Sequence, residues 1–362
     1  MKEREKYRDR IRGCLLGGTA GDALGYPVEF MSYDEILKRY GEDGICSYSL
    51  DFEEGLALVS DDTQMTLFTA NGILSGETEN RLSGENKPIR VYVYKAYIDW
   101  LATQTGNKRL KKPATWLYDL PELHVRRAPG TTCIKVLMSG EMGCIEEPIN
   151  NSKGCGGIMR AAPAGLCGSE LIEPDILGAE VAAITHGHPL GYIPAAVLAH
   201  ITHTAAYRND ESADTLKNIV LDAMNAVSDI FAGDTYLREL RDLIDKAVSL
   251  SENSRSDIEN IRTLGEGWVA EETLAIAVYC SLRYCRNFSN GIIAAVNHDG
   301  DSDSTGAVTG NILGAWLGYN KIEEKWKRNL ELKRTILEIA DDLCDGCCIE
   351  DAEWRRKYGS RK

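Results

Sequence analysis

The chain has 362 residues, 43% of them hydrophobic and 27% charged, which is enough to bury a large core and too apolar for a disordered tail. Asp and Glu number 55 against 41 Lys and Arg, a formal net charge of −14 that argues against binding along a nucleic-acid backbone. Eleven cysteines are too sparse for a disulfide scaffold, the charged start MKEREKYRDR lacks the apolar run of a signal peptide, and no apolar run reaches the ~18 residues of a membrane helix. The expectation is a cytoplasmic protein with free thiols, partnered neither by membrane nor by nucleic acid.

Apolar positions recur mostly at three and four residues, so the expected class is all-α. The first element carries RGCLLGGTAGDALG, in which Gly13, Gly17, Gly21 and Gly25 fall every four residues and leave a bare stripe on one helix face. A Gly inside a helix costs about 1 kcal/mol relative to Ala, so four in register imply a close helix-to-helix approach. Tyr26-Pro27 ends this helix and leads to Glu29, which on its own reads as an exposed loop acid. Ile45 to Leu50 carries a short strand signal. Ser60, Asp61 and Asp62 then open an amphipathic helix over Thr63 to Leu74, followed by an expected loop from Ser75 to Pro88. Arg90 to Tyr94 is a second short strand signal that runs into the helical pattern of Ala96, Ile98, Trp100 and Leu101.

Gly-rich or Pro-rich loops are expected at 105–113, 128–132, 146–157, 207–213 and 249–260, and none reads as an interdomain linker. One domain over 1–362, with its core in about 11–345, is the expected organisation. Within the third loop, SKGCGGIMR offers backbone donors at Gly154, Gly156 and Gly157, a helix start near Ile158, and Arg160, a set suited to a diphosphate. THGHPLGY, with His200 and His203 downstream, is rich in histidine, yet no Cys pair or HExxH spacing supports a zinc site. Helical patterns return at Leu216, Ile219, Val220, Ala223, Val227 and Ile230, and again from Trp326 to Ile339. Between them lies HDGDSDSTGAVTGNILGAWLG, with Asp299, Asp301 and Asp303 at alternate positions and a second stripe at Gly306, Gly310, Gly314 and Gly318. Cys344, Cys347 and Cys348 form a CxxCC that, without a second pair, reads as packing thiols.

Taken singly, Asp61 with Gln64 is a helix capping box, and Asp303 or Ser304 an N-cap. Together the two clusters offer more acids than caps need, each beside a hydroxyl, which is the oxygen-only ligand set of hard divalent cations. A DD opening one helix and a DxD opening another suit a two-metal site. If the striped helices pack together, Glu29 and the DxD lie at ends of that pair and can meet.

In this order, RIRGCLLGGTAGDALGYPVEF, SDDTQMTLFTANGIL, RRAPGTTC, SKGCGGIMRAAPAGL, THGHPLGY, GEGWVAEETLAIAVYC and NHDGDSDSTGAVTGNILGAWLG resemble successive blocks of the ADP-ribosylglycohydrolase family. The resemblance spans about Ile11 to Gly318 and implies a compact single-domain all-α fold with a binuclear Mg²⁺ or Mn²⁺ site in a central cleft. It implies one ion on Ser60, Asp61, Asp62 and Asp303 and another on Asp301, Asp303 and Ser304, the two serines standing where many relatives have Thr. It also implies that Glu29 is a lid or base beside the metals, making Glu29, Asp62 and Asp303 the catalytic set. Asp299 stands where relatives more often have Gly and is not counted as a ligand. Cys155 stands where relatives often have Asn. Gly156, Gly157, Arg160, His188, Gly191 and Tyr192 are carried over as substrate-binding residues.

The implied reaction removes ADP-ribose from an acceptor. The arginine N-glycosidic linkage on protein is favoured, because GDSDST and THGHPLGY look closer to that branch. Another linkage (serine, O-acetyl-ADP-ribose, a nucleic-acid base) and an inert, crystallin-like ADP-ribose-binding protein are the alternatives.

Overall fold

The computed structural model describes residues 3–106, 112–169, 172–209 and 215–360, and in it the two glycine stripes face each other. The first lies on α1 (Glu3–Gly25) and the second on a helix near the other end of the chain, Ser302–Leu317. The helices run antiparallel, with Gly13 opposite Gly314, Gly17 opposite Gly310, Gly21 opposite Gly306, and Gly25 against Ser302. A Cβ on any of these glycines would overlap main-chain atoms of the facing helix. The close contact therefore exists only because neither helix carries a side chain there, and its packing offsets the low helix propensity of glycine. Asn311 closes the seam by donating from Nδ2 to the Cys14 carbonyl at 2.9 Å.

Between the paired helices come α2 (Tyr33–Tyr40), α3 (Asp61–Ser83), α4 (Ile89–Thr105), α5 (Thr131–Ser139), α6 (Pro174–Ala183) and α7 (Pro189–Tyr207). Then follow α8 (Leu216–Ile230), α9 (Leu237–Ser251), α10 (Asp257–Ile261), α11 (Ala270–Arg283) and α12 (Phe288–Val296). Ser302–Leu317 is α13, and α14 (Glu324–Lys327), α15 (Lys333–Asp345) and α16 (Ala352–Tyr358) complete the chain. The all-α class holds: the described residues contain no strand, only isolated β-bridges. One contiguous apolar cluster includes residues of α1, α3, α4, α7, α11, α12 and α13. All eleven cysteines are free thiols, and no described helix is long and apolar enough to cross a membrane.

Both strand signals are corrected. Arg90 to Tyr94 lies in α4, where Tyr92, Val93, Ala96, Tyr97 and Trp100 are buried along one face at helical spacing. That face rests on α3 at Gly72 and Gly76, a second close approach in which a Cβ would meet Val93 or Tyr92. At Ile45 no strand forms, because the Asn297 side chain takes the place of a strand partner, accepting from Ile45 N at 2.8 Å and donating to Ile45 O at 3.0 Å. The expected loop from Ser75 is also shorter: α3 continues to Ser83 and ends on Gly84, at φ 70°. Burial of Ser75 to Thr78 explains the extension, since Gly76 abuts α4 and Thr78 Oγ1 accepts from Trp354 Nε1 at 2.9 Å. The loop expectations at 105–113 and 207–213 fall largely outside the described residues.

Candidate active site

Three chain segments bring five acids to one cleft of about 350 Å³. Glu29 arrives from the turn after α1, Asp61 and Asp62 from the first turn of α3, and Asp301 and Asp303 from the start of α13. Carboxylate oxygens of Glu29, Asp301 and Asp303 lie within 4.8 Å of one another. The pairing of α1 with α13 is what sets two of these segments side by side.

Each cluster holds a cap, but one residue or more earlier than expected, at Ser60 instead of Asp61 and at Asp301 instead of Asp303 or Ser304, and the caps leave acid oxygens over. Ser60 is the N-cap of α3, its Oγ accepting from Asp62 N at 3.1 Å. Asp301 is the N-cap of α13 and shares the Ser304 N–H with Asp303, at 3.3 and 2.9 Å. Asp61 Oδ2 accepts from Gly130 N at 3.1 Å. Asp62 Oδ2 and Glu29 Oε2 are buried with no hydrogen-bond partner. A buried carboxylate oxygen without a donor is costly, and no Lys or Arg lines the cleft to compensate. The donor set fits a divalent cation, with carboxylate and hydroxyl oxygens converging on uncompensated negative charge.

A sixth acid, Asp22, escaped the sequence reading. It sits inside α1, fully buried, and accepts from Ser60 N at 3.0 Å, Thr63 N at 3.1 Å and Thr63 Oγ1 at 2.5 Å. Asp22 thus holds the first turn of α3 from outside and sets the direction of Asp61 and Asp62. The signal was available: an acid directly after striped Gly21 and three residues before Gly25 lies beside the face that packs on another helix, where it must serve a buried partner.

Burial and mutual repulsion shape the electrostatics. Desolvation first, then the charges of Asp303, Asp301, Asp61 and Asp22, push Glu29 up to about 10, and desolvation with Asp303 pushes Asp22 up to about 7. Asp61, Asp62 and Asp301 are raised for the same leading reason, burial. Raised carboxyls bind more protons folded than unfolded, so stability falls as pH climbs from the free-carboxylate range, about 4, through these raised values. In EDTA, the urea midpoint should be lower at about pH 8 than at about pH 5, and Glu29→Gln should flatten the slope. Equal slopes in the two proteins would refute this account of Glu29.

Several expected substrate contacts are not in the cleft. Arg160 is fully buried with its guanidinium over the Tyr97 ring, donating to Thr185 Oγ1 at 2.6 Å and Cys133 Sγ at 3.1 Å, so it braces the core and faces no diphosphate. No helix starts at Ile158; Cys155–Gly157 is a single 3₁₀ turn. Gly156 does border the cleft, whereas Gly157 packs against the Gly191 carbonyl and Ala182. His188 caps α7, accepting from Leu190 N at 3.0 Å with its ring against Tyr236, and Tyr192 leans on Phe231. Gly191 lies under the Ser152 carbonyl. His186 takes the cleft position instead, kept neutral by burial, while His200 pairs with Asp175 and His203 with the Gly165 carbonyl.

Asp299 is spoken for as well, by Tyr33 N and Arg262 at 2.9 Å each. Around the rim, Trp268 stacks on the exposed Phe30 at 5.8 Å, and Glu272 fixes the adjacent turn by accepting from Glu266 N and Gly267 N.

A family model described as ADP-ribosylglycohydrolase matches residues 3–352. The chain belongs to the ADP-ribosylglycohydrolase family. It is accordingly a glycohydrolase enzyme, and its relatives carry that activity in their names. This ADP-ribosylglycohydrolase is 26% identical over 355 residues to the human ADP-ribosylhydrolase ARH3, with 89% of each chain covered. It is 23% identical over 343 residues to the ADP-ribosyl-[dinitrogen reductase] glycohydrolase of Rhodospirillum rubrum, covering 92% of this chain and 95% of that one. A solved structure titled as an ADP-ribosylglycohydrolase-related protein complex shares the fold at a TM-score of 0.64 and 23% identity, covering 94% of this chain and 98% of the other.

Proposed function

We propose that this enzyme is a metal-dependent hydrolase, formed as one domain, that releases ADP-ribose from a modified protein, cutting the N-glycosidic bond of mono-ADP-ribosyl-arginine. The observation that carries the reading is the convergence of five buried acids, two with unpartnered oxygens, in a cleft with no Lys or Arg among its described lining residues. An inert binding protein has no use for such a cluster, because adjacent buried carboxylates raise one another's pKa at a cost in stability.

Ser60, Asp61, Asp62, Asp301, Asp303 and Ser304 would hold two divalent ions, Mg²⁺ or Mn²⁺. Such ions orient ribose hydroxyls, stabilise developing charge and lower the pKa of water. The chain's own residues do the rest. Asp22 fixes the α3 acids, and Ser60 caps the turn that carries Asp62. Glu29, with its free Oε2 on the cleft wall, serves as the proton carrier. With the neighbouring carboxylate charges neutralised by bound cations, Glu29 would ionise. Water adds to the anomeric carbon, the carbon–nitrogen bond breaks with its electron pair passing to the acceptor nitrogen, and Glu29 takes the proton from water and returns it to that nitrogen. Gly156 and the Thr131–Thr132 end of α5 supply donors along the cleft for the diphosphate.

A protein acceptor is favoured by the name of the Rhodospirillum rubrum relative. The groove beside Glu29, lined by Tyr26, Phe30, Asp51 and Phe52, supports a cationic acceptor side chain such as arginine, since rings and an acid face it. The test offers proteins mono-ADP-ribosylated on arginine, serine or cysteine, with Mg²⁺ and with EDTA, and measures free ADP-ribose. Release from the arginine conjugate, abolished by EDTA, is expected. Release from another conjugate moves the assignment to that linkage, and release from none with ADP-ribose still bound would overturn the hydrolase reading.

A further inference from the structure

Two thiols border the acid cleft, and they are not equivalent. Cys133 is engaged from behind, its Sγ accepting from Arg160 Nη1 at 3.1 Å. Cys155 lines the cleft together with Asp62, Asp301, Asp303 and Ser304, and among the described residues no side-chain hydrogen bond ties it back to the core. The turn that carries it is pinned, with Cys155 N donating to the Trp268 carbonyl at 3.1 Å and the Cys155 carbonyl accepting from Ile158 N at 2.9 Å and Met159 N at 3.1 Å. The turn thus holds Cys155 on the wall of the cleft that Asp301 also lines. In the same cleft, Asp62, only 3% exposed, offers an Oδ2 with no partner. That oxygen points independently to a cation, and the neighbouring sulfur bears on which cation is held.

We propose that Cys155 is a sulfur donor of the metal centre, so that thiophilic divalent ions such as Cd²⁺ and Zn²⁺ bind there through Cys155 and Asp301. The inference rests on reading the acid cluster as a metal centre. A hard ion such as Mg²⁺ gains little from sulfur, whereas softer ions prefer it, so one cysteine among carboxylates shifts selectivity between the two classes. In the binding step a sulfur–metal bond forms, the thiol proton passes to solvent, and no oxidation state changes. Thiophilic ions would then compete with Mg²⁺ for this centre.

The full-length wild type, Cys155→Ser and Asp301→Asn are each stripped of metal and titrated with Cd²⁺, following the ultraviolet sulfur-to-cadmium charge-transfer band. Mg²⁺ binding is measured by calorimetry in parallel, and circular dichroism checks that each variant folds. The comparison between variants removes the signal of the ten other thiols, including Cys344, Cys347 and Cys348. Wild type should show a band component that Cys155→Ser and Asp301→Asn both lose. Cd²⁺ affinity should fall at least about tenfold in Cys155→Ser, while Mg²⁺ affinity changes by less than about threefold. Identical bands in wild type and Cys155→Ser overturn the proposal, as does a Cys155-dependent band that survives Asp301→Asn. If Mg²⁺ binds but no Cys155-dependent band appears, the sulfur assignment alone falls. If neither ion binds, the metal-centre reading falls with it.

Discussion

Asp303→Asn is expected to lower ADP-ribose release by more than about a hundredfold, and saturating Mg²⁺ should not restore it. Asp303 is the hub of the cluster, its charge raising the pKa of Asp22, Glu29, Asp61, Asp62 and Asp301. Asparagine keeps the size of the side chain and one carbonyl oxygen to accept from Ser304 N, so the fold should persist. Removing one of several crowded charges should also make the metal-free variant more stable than metal-free wild type above about pH 5. Loss of turnover together with a higher melting temperature in EDTA separates a lost ligand from a damaged fold. Near-native turnover of Asp303→Asn at saturating Mg²⁺ would sink the two-metal reading.

The largest expected effect on stability comes from a single methyl group. Gly310→Ala places a Cβ against the Gly17 carbonyl, a main-chain atom that cannot rotate aside as a side chain could. In an exposed helix the same change would stabilise by up to about 1 kcal/mol, because Ala is the better helix former. Here it should destabilise by about 3 kcal/mol as α1 and α13 are forced apart. A urea titration measures it. Gly41→Ala is no suitable comparison, since Gly41 sits at φ 97°, so the reference is a solvent-facing position of another helix. An unchanged or raised midpoint in Gly310→Ala would show that the stripes do not carry the packing.

Much of this architecture was legible in the chain because its rules are local. Glycines every four residues predict a bare helix face, and two such faces in one chain predict each other as partners. Acids next to hydroxyls at two helix starts predicted the acid cluster, and the order of seven sequence blocks pointed to the family. What was not legible depends on tertiary context. Arg90 to Tyr94 has β-branched residues that favour a strand, yet its buried face and the small residues of α3 decide for helix. Arg160 carries a charge that suits a diphosphate, but Tyr97, Cys133 and Thr185 lie closer to it than any cleft. Asp22 was overlooked because its partners, Ser60 and Thr63, are some forty residues downstream. His186 and His188 differ by two positions, and only the start of α7 decides which one reaches the cleft and which one caps the helix.

The pairing of α1 with α13 also bears on when the enzyme becomes active during its synthesis. Glu29 leaves the ribosome early, and Asp301 and Asp303 emerge almost three hundred residues later. Neither half of the acid cluster has its neighbours until α13, ending at Leu317, has docked along α1. A nascent or truncated chain short of that helix lacks two of its five cleft acids and the seam that would align the others. The electrostatic cost of gathering the carboxylates is thereby deferred to a late step of folding, when long-range contacts close.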